Sequence, residues 1–314
     1  MNSLKILSTT VTFGKYTQEP IRVLEELGCD VTLNSKGRPY TEEELIEVSN
    51  GVDVLIVGND YITKKVIESN KSLKMICMHG IGLDKIDLKA AEENNVIVTN
   101  APFTNHLEVA ELVIGYIVTM YRNLYLDINN MKHQTWKKSM GTSINEKTIG
   151  IVGMGSIGKA LASMALGLNM KVIAYDLYPS QIENVNFVDL NKLISESDVI
   201  SLHVPYVKGT KPIIGSEEVE MMKDSALLVN TARAQLVDEQ SVIEALNTGK
   251  IGGYARDVYP VEPPEFDLSF QKNQIISTPH IGGATYEANL RMGMTVANNI
   301  KAYINEEKIP YRCI

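Results

Sequence analysis

Thr148-Ile149-Gly150-Ile151-Val152-Gly153-Met154-Gly155-Ser156-Ile157-Gly158 is the stretch whose reading decides the fold. Its first five residues form a short apolar run of the kind that makes a buried strand. After the glycines, apolar residues at Ile157, Leu161, Met164, Ala165 and Leu168 recur at helical spacing. A Gly-x-Gly-x-x-Gly triplet alone is a weak signal. Set between a strand and a helix, it is the phosphate turn of a dinucleotide-binding βαβ unit. Gly153 permits the tight turn, Gly155 lets a pyrophosphate approach the backbone, and Gly158 lets helix and strand pack closely. The helix start offers free N–H groups and a positive dipole end. Asp176 ends the next strand, where a carboxylate accepts the ribose hydroxyls and repels a 2′-phosphate. The following Leu177-Tyr178-Pro179 supply no cation to offset that repulsion, so NAD is expected rather than NADP.

Outward from this turn, apolar runs alternate with helical patterns in both directions. Downstream strands are expected at 148–152, 171–175, 199–203, 227–230, 253–257 and 275–278, six in all and enough for a full dinucleotide-binding sheet. Upstream, strands are expected at 4–8, 30–33, 54–57, 74–78 and 96–99. Helices are expected over 19–27 and 41–49, the second opened by Thr41 and Glu44 in capping-box spacing. A long apolar helix is expected over 108–125, a polar segment over 129–147, and a last helix over 286–305. Strands that are apolar almost throughout imply parallel sheets covered on both faces.

The 314 residues suffice for two domains, and 44% hydrophobic with 22% charged is the balance of a globular protein. A net charge of −8 and a pI near 5.3 give no basic face, so neither nucleic acid nor an anionic membrane is an expected partner. Cys29, Cys77 and Cys313 are odd in number and widely spaced, which fits a reducing cytoplasm. The N-terminal Met1-Asn2-Ser3-Leu4-Lys5-Ile6-Leu7 reads as the approach to a strand and not as a signal peptide, and no apolar run reaches membrane length. No two histidines have metal-ligand spacing, so no metal is expected. His203 is expected beside the cofactor, and His106 and His133 on the surface.

Three further segments each follow a strand of the second sheet, where ligands of such sheets bind. They are Val229-Asn230-Thr231-Ala232-Arg233, Asp257-Val258-Tyr259-Pro260-Val261-Glu262-Pro263 and Thr278-Pro279-His280-Ile281-Gly282-Gly283. Oxidising a hydroxy acid needs a cation for the carboxylate, a base for the hydroxyl proton and a nicotinamide for the hydride. With Phe13-Gly14-Lys15-Tyr16, Gly37-Arg38-Pro39 and Gly80-Ile81-Gly82-Leu83-Asp84-Lys85-Ile86-Asp87, these motifs resemble the D-isomer-specific 2-hydroxyacid dehydrogenase family over essentially the whole chain. The resemblance is greatest to its phosphoglycerate dehydrogenase-like members.

The resemblance implies Arg233 as the substrate clamp, its planar fork suited to a carboxylate. It implies His280 as the acid/base and Glu262 as the group that orients its other ring nitrogen. It places a substrate-binding anion nest on the backbone amides of His79, Gly80, Ile81 and Gly82. Ser156, Ile157, Val204, Thr231 and Asp257 fall at cofactor positions, Asp257 at the nicotinamide carboxamide. Ile81 falls at a cofactor position as well. It further implies an α/β fold of two doubly wound parallel-sheet domains, with a Rossmann cofactor domain (103–284) inserted in a flavodoxin-like substrate domain (1–102 and 285–314). A homodimer, joined through the cofactor domains, is expected by the same resemblance. So is NAD-dependent interconversion of a D-2-hydroxy acid and its 2-oxo acid, most like 3-phosphoglycerate dehydrogenase. A hydroxypyruvate or glyoxylate reductase and a non-catalytic NAD-sensing interaction protein are the alternatives. Ending at residue 314, the chain is expected to lack a C-terminal regulatory domain.

Several positions depart from the family pattern. Met78 stands where phosphoglycerate-type members carry an arginine, with Lys15, Arg38 and Lys85 as candidate replacements. Glu108 replaces a small hydroxyl residue and Arg256 an apolar one, and a Glu108–Arg256 pair would reconcile them. Ser156 replaces a frequent pyrophosphate-binding cation, and Ala234 a frequent glycine.

Overall fold

The computed structural model describes residues 3–314, and residues 1 and 2 of the expected first domain lie outside the described residues. The chain divides into two compact units. One runs to Asn105 and resumes over Ala284–Ile314; the other is His106–Gly283.

The first unit alternates β1 (Lys5–Ser8), α1 (Glu19–Glu26), β2 (Asp30–Thr32), α2 (Glu42–Val48), β3 (Val54–Val57), α3 (Lys64–Ser69), β4 (Met75–Met78), α4 (Leu88–Glu93) and β5 (Ile97–Thr99). Its five strands are all parallel, in the order β2-β1-β3-β4-β5, which is flavodoxin-like. The reason for the unbroken apolar strands is visible in β3. Val54 and Ile56 enter one core with Ile6, Phe13 and Leu24, while Leu55 and Val57 enter another with Leu45, Val66 and Ile76. Each such side chain contributes about 1.5–3 kcal/mol by leaving water. The Thr41–Glu44 capping box is present, each side chain accepting the other residue's N–H.

The second unit opens with α5 (His106–Tyr121) and α6 (Leu124–Lys132). It continues with β6 (Thr148–Val152), α7 (Ser156–Gly167), β7 (Lys171–Tyr175), β8 (Val185–Phe187), α8 (Leu190–Glu196), β9 (Val199–Leu202), α9 (Ser216–Met221), β10 (Leu227–Asn230), α10 (Glu239–Thr248), β11 (Gly253–Arg256) and β12 (Ile275–Ser277). Its sheet has seven parallel strands in the order β12-β11-β10-β9-β6-β7-β8. The order reverses at β6, so the turn after β6 sits at the switch point where such sheets bind ligands.

Three expectations change. The second sheet has a seventh strand, β8, which pairs only with β7 and is too short and too exposed to show a period. The helix expected to Tyr125 ends at Tyr121, because Asn123 takes a left-handed backbone (φ 51°) that no helix interior accommodates. The segment read as polar from Asn129 begins inside a second helix, α6, none of whose residues is buried.

The last helix, α11 (Tyr286–Ile304), belongs to the first unit. Val296, Ala297 and Ile300 fill the core beside Ile6 and Leu24, and a Cβ on Gly293 would lie 2.6 Å from the Pro20 ring. A residue without a side chain is what lets α11 and α1 approach. Asn299 donates to the Asn100 carbonyl and Arg291 to that of Thr104, tying the helix to the chain that leaves β5. Among the described residues no helix is long and apolar enough to cross a membrane.

Candidate active site

In the second unit every candidate follows the C-terminal end of a parallel strand. Gly153–Gly158 follow β6, Asp176 follows β7, Val204 β9, Thr231 and Arg233 β10, Asp257 and Glu262 β11, and His280 β12. Parallel pairing puts all of these ends on one edge of the sheet.

The three glycines do different work. Gly153 has φ 100°, and a Cβ there would meet the His203 carbonyl at 2.6 Å. On Gly158 a Cβ would lie 2.1 Å from the Gly153 carbonyl, so Gly158 serves packing inside the turn. On Gly155 a Cβ would meet nothing, and the residue is exposed. The α7 amides of Ser156, Ile157 and Gly158 have no acceptor among the described residues, as the first turn of a helix requires. The turn is held by Asp176, whose carboxylate accepts the N–H of Met154 at 2.7 Å and of Tyr178 at 2.8 Å. Beside it, Val204 joins the core and His203 shares its Nε2 with the Ser201 hydroxyl at 2.8 Å. Thr231 Oγ1 is buried with no hydrogen-bond partner. An open amide row, a bare Gly155 and an orphaned hydroxyl fit a dinucleotide laid along this edge.

Past the end of β12, four strands from β6, His280 Nδ1 lies 2.9 Å from Glu262 Oε1. The imidazole side chain is 42% exposed and the carboxylate 14%, so a half-buried carboxylate faces an accessible imidazole. His280 has φ 55°, a left-handed conformation uncommon outside glycine, asparagine and aspartate. The device that holds it there is Asp257. Its buried carboxylate accepts the Thr278 hydroxyl at 2.5 Å, the Ile281 N–H at 2.8 Å and the Gly282 N–H at 2.7 Å. Burial pushes the Asp257 carboxyl up, and those three donors oppose the shift. Thr278 is also bonded to the Tyr116 hydroxyl from α5. Arg233 Nη1 donates to the Ala232 carbonyl at 2.7 Å, and Asn230 Nδ2 braces the Arg233 carbonyl at 2.8 Å.

The first unit carries the other candidate cluster, at the end of β4. The amides of Gly80, Ile81 and Gly82 donate to no acceptor among the described residues. The His79 amide differs from the expected four-residue nest: it bonds the Val57 carbonyl at 2.8 Å, extending the β3–β4 ladder. The His79 ring is buried edge-on to Phe13 at 5.7 Å, and desolvation pushes it down to about 4. Of the cations set against Met78, Arg38 forks onto Glu44 at 2.8 and 2.7 Å and holds that carboxyl down to about 2. Lys15 and Lys85 lie over the rings of Tyr16 and Tyr61.

The expected Glu108–Arg256 pair is not what forms. Arg256 pairs with Glu239 and donates to Ser277 and Ser269, which occupies all three guanidinium nitrogens. Glu108 lies in the first turn of α5, where a carboxylate faces a positive dipole end. Sequence reasoning passed over Tyr116 and Tyr259, whose hydroxyls brace Thr278. Their only signal was position, since tyrosines at those places look like ordinary core aromatics.

Residues 114–282 match the D-isomer specific 2-hydroxyacid dehydrogenase, NAD binding domain. A hydroxypyruvate reductase of Thermotoga maritima is 38% identical over 268 residues, covering 82% of this chain and 87% of that protein. The chain belongs to the D-isomer-specific 2-hydroxyacid dehydrogenase family. A D-3-phosphoglycerate dehydrogenase of Methanocaldococcus jannaschii is likewise 38% identical over 298 residues and 92% of this chain, which spans only 56% of that relative's length. Among solved structures, the NAD+-bound 3-phosphoglycerate dehydrogenase of Entamoeba histolytica superposes with a TM-score of 0.85 at 30% identity, covering 99% of each chain. The two flavodoxin-like and Rossmann-type sheets are thus the architecture of this dehydrogenase family.

Proposed function

We propose that this chain is an NAD-dependent oxidoreductase interconverting a D-2-hydroxy acid and its 2-oxo acid. The observation that carries the reading is the His280–Glu262 pair at 2.9 Å, on the same sheet edge as a glycine turn with open amides. Bound on Gly153–Gly158, Asp176, Val204 and Thr231, NAD would supply the hydride acceptor or donor. In the second unit Arg233 would take the substrate carboxylate and polarise the 2-oxo group; in the first, the open amides of Gly80, Ile81 and Gly82 are donors suited to a carboxylate. In the reductive direction, protonated His280 gives its Nε2 proton to the carbonyl oxygen as the carbon gains the hydride. In the oxidative direction, neutral His280 takes the hydroxyl proton. Glu262 holds Nδ1–H throughout, so that Nε2 faces the substrate.

By its relatives the substrate reading is most like 3-phosphoglycerate dehydrogenase. A specific observation supports a second reading, an unphosphorylated substrate such as hydroxypyruvate or glyoxylate: Arg38 is already forked on Glu44, and Met78 stands where the resemblance to phosphoglycerate-type members implies an arginine. We also propose a cytoplasmic homodimer. Leu124, Ile128 and Met131 fall on one face of α6 by helical spacing and are exposed, as are Trp136 (82%) and Met140 (91%), an apolar stripe suited to a second copy. The deciding experiment is a screen of 2-oxo acids with NADH, with and without phosphorylated members. Turnover of at least one is expected. A protein that binds NADH and a stoichiometric macromolecular partner but turns over no oxo acid is a non-catalytic sensor instead.

A further inference from the structure

Arg256 is 2% exposed in the middle of a fold that has no need of a buried charge at that place. Removing a guanidinium from water is costly, and well-packed apolar side chains of similar volume often serve stability as well or better. What the arginine does that an apolar residue cannot is bind in several directions at once. Its Nε donates to Ser277 at the end of β12 at 3.0 Å, and its Nη2 to Ser269 at 2.8 Å, in the 3₁₀ turn Leu268–Gln271. Its remaining nitrogen pairs with Glu239 at the start of α10. The guanidinium also lies over two rings, Phe270 at 4.4 Å and Tyr259 at 5.3 Å, and those rings stack at 5.8 Å with 21° between planes.

Tyr259 reaches both halves of the acid–base pair. Its hydroxyl donates to the Thr278 carbonyl at 2.9 Å, two residues before His280, and its N–H points at Glu262 Oε1 at 3.4 Å. The Thr278 carbonyl accepts the His280 N–H as well, at 3.0 Å. Glu262 sits on irregular backbone between β11 and the 3₁₀ turn, so no strand or helix sets its place. The buried ring of Tyr259 is the post at this point of the loop, and Arg256 is what the post leans on.

We propose that Arg256, acting through Tyr259, is a positioning residue for the His280–Glu262 pair. The proposal rests on the acid–base assignment made above. It takes the arginine as this chain's own addition for holding Nδ1 of His280 against Glu262. A pair held to within a fraction of an ångström keeps Nε2 aimed, and a displacement near 1 Å from a distant substitution can cost about 100-fold in rate.

The test uses the full chain and the variants Arg256→Met, Arg256→Lys and Tyr259→Phe. Three quantities are read: kcat and KM on the 2-oxo acid found by the screen, NADH affinity by fluorescence, and the ¹⁵N imidazole signals of His280. Arg256→Met is expected to lower kcat by roughly 10- to 100-fold with KM and NADH affinity within about twofold, and to broaden or move the Nδ1 signal. Arg256→Lys should recover part of both effects. Tyr259→Phe keeps the ring and is the second variant should Arg256→Met fail to fold; it is expected to lower kcat by about fivefold with the same change at Nδ1. Unchanged kcat and an unchanged imidazole signal in folded variants overturn the proposal. So does a loss in which kcat, NADH affinity and Tm fall while KM rises, since that is a merely structural role. If His280→Ala retains turnover, the acid–base assignment fails instead, and the imidazole signals of the Arg256 and Tyr259 variants still decide the positioning.

Discussion

The Asp176 carboxylate accepts the Met154 N–H at 2.7 Å, so the acid that ends β7 also holds the glycine turn that ends β6. One carboxylate therefore has two employments, and each oxygen keeps a lone pair for a ribose hydroxyl. Asp176→Ala is expected to destabilise the unit by about 1–3 kcal/mol, by leaving two N–H groups without their charged acceptor. It should also weaken NADH binding and narrow the preference for NADH over NADPH. Thermal unfolding and fluorescence titration with both cofactors check this. A variant with weakened NADH binding and an unmoved Tm would mean that the bond to Met154 carries no weight.

The glycines separate packing from ligand approach. Gly158→Ala drives a Cβ to within 2.1 Å of the Gly153 carbonyl and is expected to cost 2 kcal/mol or more, about the range of overpacked cores. Gly155→Ala meets no protein atom, so its Tm should stay near that of the parent while NADH affinity falls by at least about tenfold. Equal effects of the two substitutions on Tm would contradict the division.

His280→Asn is the variant of choice for removing the acid/base, because asparagine tolerates the φ of 55° found there. Turnover should fall by about 10²- to 10⁴-fold, with NADH affinity retained. Glu262→Gln leaves an acceptor near Nδ1 without its charge, and a smaller loss of about tenfold is expected. Full activity of His280→Asn would sink the mechanism.

His79 predicts a pH dependence of stability. Burial holds the folded imidazole down to about 4, below the ordinary value of 6.5. As pH falls from about 6.5 the unfolded chain takes up the proton first, so stability is full above that value and declines toward pH 4. Below that the contribution is constant. The linkage is worth about 3 kcal/mol across the window. His79→Phe removes the titrating group, and its unfolding free energy from denaturant melts should be flatter between pH 6.5 and 4 by up to one proton. An identical slope in parent and variant would exclude His79 as the source.

Much of this molecule was legible because its signals are local. Eleven of its strands were marked by apolar runs, and the glycine turn, the capping box at Thr41 and the order of Arg233, Glu262 and His280 could be read from spacing and resemblance. β8 and α6 were not legible, for opposite reasons. Val185–Phe187 is held by pairing along β7 and not by a pattern of its own, and α6 buries nothing that would give it a periodic signature. The break between α5 and α6 depends on one left-handed residue, Asn123, whose φ no composition reveals.

By itself, the sequence determined that a dinucleotide turn lies after Val152, that it belongs to one of two doubly wound sheets, and which residues stand at the strand ends. Those are properties of runs and spacings, set by the hydrophobic effect and by what a glycine permits. Only the tertiary structure decided who bonds to whom. It put the His79 amide into the β-ladder instead of an anion nest, turned Asp257 onto the loop that carries His280, and gave Arg256 to Glu239 and two serines instead of Glu108. Hydrogen bonds and ion pairs depend on distances of a few tenths of an ångström between residues far apart in the chain, and that information exists only once the strands have been laid side by side.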